Sequence, residues 1–174
     1  MDISQIDTSK ATAANGLIIG EDSAPIKMVE FINVRCPYCK QWFEEKDQLL
    51  TAYVNEGKLQ RIIKFLDKEK ESLQPGNVMH RYINYELPLK GLADLRQIFN
   101  TQDQWGHMPL EEVAQFAEDN LQLAQMNNQA IAEHTIAEAA AANIKFVPTV
   151  IINNHIFDEN ITEEELISIL EEKN

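Results

Sequence analysis

The chain is short of cysteine, of positive charge and of long apolar runs, and each shortage closes off a class of protein. Two cysteines in 174 residues cannot build a disulfide scaffold. A chain of this length, one domain or one domain carrying a large insertion, buries enough apolar surface to need none. Against 28 Asp and Glu stand only 15 Lys and Arg, a formal net charge of −13. The overall field therefore repels phosphate backbones and anionic membrane surfaces, which sets nucleic acid and membrane aside as partners. No segment approaches the roughly 20 apolar residues of a membrane-spanning helix. The least polar run, "IAEAAAANI", has a glutamate inside it. The opening "MDISQIDTSKATAANGLIIGEDSAPIK" places acids ahead of its first lysine and lacks the apolar core of a secretory signal. A soluble, cytoplasmic protein is the expectation for the chain as it stands.

What is present is ordered by period. "PIKMVEFINV", residues 25–34, is a nearly continuous β-prone run that suits a buried central strand. After Pro37 the period becomes helical: Trp42, Leu49, Leu50, Tyr53 and Val54 share one side, with Glu44, Glu45 and Asp47 directed away, and Gly57 closes the helix. "LQRIIKFLD", residues 59–67, reads as a second strand, parallel to the first. An apolar "LII" at 17–19 suggests an added edge strand. Residues from about 74 to 143 form a helical stretch broken at "ELPLKG" and "WGHMP", its last segment running from Leu123 to Asn143. "KFVPTVIINNHIFDEN" then signals a hairpin. Thr162 and Glu165 make a capping box for a final helix to about Glu172.

Both cysteines fall in "FINVRCPYCKQWFEE", three positions apart where the strand hands over to the helix. Thiolates at this spacing grip zinc, but a structural site needs about two further ligands. His80, His107, His134 and His155 are scattered and offer no second pair, so no metal is expected. Inert core cysteines are another reading. Redox chemistry fits the geometry better. With Pro37 at the first helical position, the Cys36 sulfur faces unpaired backbone N–H groups and the positive end of the helix dipole, which favours thiolate. Cys39 lies one turn further in on nearly the same face, better shielded and able to close a small disulfide. Arg35 and Lys40 flank the pair, as helpers to the thiolate or as surface charges.

"MVEFINVRCPYCKQWFEE" resembles the active-site strand and helix of the DsbA family of the thioredoxin superfamily, and "FVPTVI" resembles that superfamily's Val-(cis-Pro)-Thr segment. The order of elements is also similar across essentially the whole chain. The resemblance implies an α/β thioredoxin fold whose β-α-β and β-β-α halves surround a helical insertion, with residues 14–70 and 144–174 in the thioredoxin-like part and 71–143 in the insertion. It carries the attacking cysteine to Cys36, the resolving cysteine to Cys39 and the cis-proline to Pro148. Pro37, Tyr38, Val147, Pro148 and Thr149 become the expected substrate-binding residues. The Pro37-Tyr38 pair departs from the Pro-His of the best-known DsbA proteins and is similar to glutaredoxins. Glu30, in the presumed central strand, matches a buried acid that the resemblance implies relays the proton of Cys39; a solvated edge glutamate is the other reading.

The function expected is thiol-disulfide exchange on protein substrates, with no bound cofactor. Glutathione as co-substrate and a reducing protein partner fit the same chemistry. Two alternatives stay open. One is a redox-sensing adaptor that binds a protein partner without turnover. The other is a glutathione-dependent transferase or isomerase, although the kappa-class transferases and hydroxychromene isomerases that this chain also resembles typically carry serine where it has Cys36.

Overall fold

The computed structural model describes residues 1–173. Its strands are β1 (Leu17–Ile19), β2 (Ile26–Ile32), β3 (Leu59–Phe65), β4 (Thr149–Ile152) and β5 (His155–Phe157). The helices are α1 (Pro37–Asn55), α2 (Gln74–His80), α3 (Pro88–Asn100), α4 (Gln102–Trp105), α5 (Leu110–Asp119), α6 (Gln129–Ala141) and α7 (Glu163–Leu170). The strands form one 5-stranded sheet in the order β1-β3-β2-β4-β5. β2 and β3 pair in parallel from Ile26↔Leu59 to Ile32↔Phe65, and the remaining pairs are antiparallel. This is the mixed α/β thioredoxin architecture.

The two-residue period of β2 decides what lies on each face. Met28 packs with Trp42 and Leu50 of α1 and with Leu166 and Leu170 of α7. Val29 and Phe31 point the other way and pack with Ala139 of α6. One sheet face therefore carries α1 and α7, and the opposite face carries α6. Gly57 follows α1 at φ +72, a left-handed position that costs glycine little. The β4–β5 turn puts Asn153 at φ 53, the backbone a tight hairpin needs. Thr162 and Glu165 complete both bonds of the capping box on α7, which ends at Leu170 rather than near Glu172.

The helical stretch departs from expectation in two places. Residues 121–128 are irregular, and α6 begins only at Gln129. Gln122 sits at φ 55, where a helix cannot continue, and Asn128 spends its side-chain amide on the His80 and Ile83 carbonyls. In addition, α6, which falls inside the 71–143 boundary, packs on the sheet. The buried Lys64–Glu138 ion pair, with Nζ 2.7 Å from both carboxylate oxygens, fixes it there. Helices α2 to α5 form the cap proper. Met79, Leu95, Phe99, Trp105 and Val113 share one core with Ile32, Val34 and Phe65 of the sheet side, and both cysteines lie in it. Cap and active-site segment are thus one packed unit.

Two glycines permit that union. A Cβ at Gly76 would stand 2.1 Å from Asn33 Oδ1, and one at Gly106 would stand 2.6 Å from Arg35 Nε. At both points the cap closes on the segment that leads into the cysteines, and any side chain would hold it off.

Candidate active site

Cys36 is the N-cap of α1, with Pro37 at the first helical position. The local sequence explains this: proline has no N–H to lose at a helix start and its φ suits the first turn. Cys36 is 5% exposed and Cys39 0%, both as free thiols. The Cys36 thiol is drawn down to about 6. The largest cause is a hydrogen bond from the Cys39 thiol, joined by the backbone N–H groups of Cys39 and Tyr38 and opposed by burial and the Glu159 carboxylate. Burial, followed by the hydrogen bond and charge of Cys36, pushes Cys39 well above the ordinary thiol range. One sulfur is poised as an anion at neutral pH, and its neighbour holds its proton and donates it. Cys36 Sγ also lies 3.5 Å from the Val147 carbonyl, which brings the segment before β4 directly over the nucleophile. The Val147–Pro148 peptide is cis.

Arg35 and Lys40 act elsewhere. Arg35 Nε donates to the Gly106 carbonyl at 2.6 Å, and Lys40 pairs with Glu44 and Asp103. Neither is among the larger causes of the Cys36 shift.

The segment from Asn33 to Cys36 is held from behind by side chains that sequence reasoning did not single out. Asn33 N–H donates to Cys39 Sγ at 3.4 Å, while its side chain accepts from Arg35 N–H and donates to the Leu66 carbonyl and Asn77. Val34 N–H donates to His80 Nε2 at 3.2 Å, and the Val34 carbonyl accepts from Gln102 at 2.8 Å. Because His80 Nε2 accepts, its proton sits on Nδ1, 2.7 Å from Asp67 Oδ1. Arg81 pairs with the same carboxylate. His80, one of the scattered metal candidates, is instead a buried imidazole fastened at both nitrogens. The signal in the sequence was Asp67, a carboxylate that follows the apolar Phe65-Leu66 just past the end of β3.

Glu30 is buried in β2, so the solvated-edge reading is overturned. Its surroundings also differ from those of a free base. Arg61 grips it with Nε to Oε2 at 2.9 Å and the second nitrogen to Oε1 at 3.0 Å, and Trp42 Nε1 donates to Oε1 at 2.9 Å. Arg61 reaches on to Asp47 at 2.9 Å, and Asp47 to Arg96 at 2.8 Å. Asp47 therefore turns inward, contrary to its expected solvent position. Arg61 was legible as a charge inside a buried strand, which demands a partner; it finds Glu30 two positions along β2 from Met28, the residue it faces.

Of the expected substrate-binding residues, Pro37, Tyr38 and Val147 line a groove of about 1490 Å³ that runs past Cys36 between α1, the segment after β3, and α6. Pro148 and Thr149 are buried behind it, and Thr149 Oγ1 donates to the Phe146 carbonyl at 2.6 Å. Tyr38 and Phe146, 57% and 53% exposed, are large apolar side chains left open on the groove, and Leu110 and Ile136 add to them.

A cysteine pair at a helix start, faced by a cis-proline segment across a cap-covered sheet, defines a thioredoxin-type site. The family model described as Thioredoxin matches residues 12–172, and the chain belongs to that family. A conserved protein of unknown function from Enterococcus faecalis V583 is 56% identical, over 99% of this chain and 98% of that one, with a TM-score of 0.98. The fold is also shared with BdbD from Bacillus subtilis (14% identity, 96% and 94% of the two chains, TM-score 0.67) and with the catalytic domain of Proteus mirabilis ScsC (20%, 94% and 93%, TM-score 0.69). None of the proteins of curated function matches the chain.

Proposed function

We propose that this protein is a thiol-disulfide oxidoreductase acting on protein substrates, with Cys36 as nucleophile and Cys39 as resolving thiol. The observation that carries the reading is the opposed pair of sulfurs: Cys36 drawn down to about 6 beside a Cys39 that is pushed up and wholly buried. In the reducing direction the Cys36 thiolate attacks one sulfur of a substrate disulfide, forming a mixed disulfide and expelling the other substrate sulfur as thiolate. Cys39 then loses its proton and attacks the Cys36 sulfur. The second substrate thiolate leaves, the substrate has gained two electrons, and the pair is oxidised to a disulfide. Run backwards, the same steps oxidise a substrate dithiol.

A more strongly lowered thiol favours oxidation and a mildly lowered one reduction or isomerisation, and the equilibrium with glutathione measures which of the two Cys36 supports. The apolar groove beside Cys36 suits an extended, partly unfolded segment, and a reducing partner would have to regenerate the dithiol.

Turnover of insulin disulfides, with the Cys36 pKa read from thiolate absorbance, tests the reading. Catalytic reduction is expected, abolished in Cys36→Ser, with trapped mixed disulfides in Cys39→Ser. A Cys36 pKa near the free-thiol value of about 8.5 would refute it. Stoichiometric labelling without turnover would point to the adaptor instead, and activity only with glutathione to the transferase or isomerase.

A further inference from the structure

The groove is a basic place on an acidic protein. More than half of the lysines and arginines stand in ion pairs with carboxylates. Arg35, Lys68, Lys70 and Lys145 have no such partner within 4.0 Å among the described residues, and all of them line the groove that contains Cys36. Elsewhere, Lys10 and Lys173 lie near the chain ends and Lys27 donates to the Asp22 carbonyl. The acids nearby offset the rim only in part. Asp67 is occupied by His80 and Arg81, Glu69 is an exposed carboxylate in the groove, Glu71 follows Lys70 in the chain, the Glu159 carboxylate acts on Cys36, and Asp2 in the N-terminal segment feels Lys145. Lys68 Nζ donates to the Lys145 carbonyl at 2.7 Å, so the positive charge is held where the segment after β3 meets the segment before β4.

With a formal net charge of −13, such a cluster is the reverse of what chance would place. Charge sign at a rim chooses among partners more than it adds raw affinity. The groove volume of about 1490 Å³ also exceeds the roughly 300–1,000 Å³ of a small-molecule site, and its apolar side chains suit a polypeptide better than a small thiol.

We infer that the groove selects extended polypeptide segments that carry acidic residues beside apolar ones, Lys68, Lys70 and Lys145 being the specificity-determining residues. The inference rests on the reading of Cys36 as a thiol that meets protein substrates, but its test does not depend on redox turnover. Labelled peptides with serine in place of cysteine, of one apolar sequence flanked by Glu, Gln or Lys, are titrated against the full-length protein at about 0.15 M salt, where the Debye length of about 8 Å screens remote acids but not groove contacts. The Glu peptide is expected to bind about tenfold more tightly than the Lys peptide, an order of magnitude in keeping with a few modest exposed charge contacts. The ratio should fall toward one at about 1 M salt, where screening reaches about 3 Å. In Lys68→Glu/Lys70→Glu/Lys145→Glu the order should invert. Equal binding of the three peptides by the native protein, or a preference that survives in the triple variant, would overturn the inference. So would displacement of the Glu peptide by glutathione disulfide at a comparable concentration, which would make the rim a site for a small anionic disulfide. Lack of insulin turnover alongside a tenfold preference would sink the redox reading and leave the binding inference standing.

Discussion

The two sides of the active-site segment contrast sharply in how they treat polar groups. Behind it, Asn33, Val34 and Arg35 spend their backbone N–H groups on Cys39, His80 and the Asn33 side chain, and the charges near them are paired. In front, Lys70 and Lys145 have no ion-pair partner among the described residues, and Tyr38 and Phe146 lie more than half exposed. Buried polar groups must be satisfied or they cost stability, so the rear is committed to holding the sulfurs still. A surface that leaves charge and apolar area together uncommitted is available to a partner. Rigidity and reception are thereby divided between opposite faces of one short segment.

Breaking the rear should cost stability, in a graded series. The largest loss is expected from Arg61→Met, which strands the buried Glu30 carboxylate without its guanidinium; removing one partner of a buried pair costs about 3–5 kcal/mol. Urea denaturation measures this, and the double variant with Glu30→Gln should recover most of it. A loss under about 1 kcal/mol, the range of exposed pairs, would show that the pair contributes little. Next is Gly76→Ala, whose Cβ would meet Asn33 Oδ1 at 2.1 Å; overpacking of this kind costs about 1–3 kcal/mol. It should also slow insulin turnover, because the displaced Asn33 positions Cys39.

The pH dependence sharpens the same comparison. Burial holds His80 below its ordinary 6.5, against the pull of Asp67. As pH falls below 6.5, the unfolded chain binds a proton at this histidine that the folded protein refuses, so stability declines. Asp67 adds to the trend. Burial raises it, but the hydrogen bonds and charges of His80 and Arg81 outweigh that and leave it below 3.8. Its contribution is present above 3.8 and is lost as pH falls through the lower folded value. Melting temperatures should fall below pH 6.5, with a shallower decline in His80→Gln, and should still climb above neutrality, because the folded Cys36 thiol, drawn down to about 6, has lost a proton that the unfolded chain keeps up to about 8.5. An unchanged slope in that variant would remove the histidine from the account. The smallest effect belongs to a site remote from both faces: Thr162→Ala removes one capping bond of α7 and should cost about 1 kcal/mol.

How much of this was visible beforehand depended on the range of the interaction. The strand at 26–32, the helix opened by Pro37, the hairpin with Asn153 in its turn and the Thr162 cap all follow from contacts within a few positions, and the local pattern carried them. Residues 121–128 misled because alanine, leucine and glutamine are good helix formers. What interrupts the helix is Gln122 in a left-handed conformation and Asn128 reaching back to His80 and Ile83, and propensity senses neither. Glu30 stood out as a carboxylate in an apolar strand, but its partner lay 31 positions away. Lys68 and Lys145, 77 apart, come together only through the closed sheet.

The sequence alone determined that the two cysteines would meet at a helix mouth, because three positions in a helix is a fixed distance whatever surrounds it. It also determined which of them faces outward, since Pro37 sets where the helix starts. The tertiary structure decided the rest: that Glu30 answers to Arg61, that His80 holds the backbone before the cysteines, and that uncommitted lysines gather at the groove on a strongly acidic chain. Such pairings join residues far apart in the chain, and only the completed packing of sheet and cap brings them within hydrogen-bond or Coulomb range.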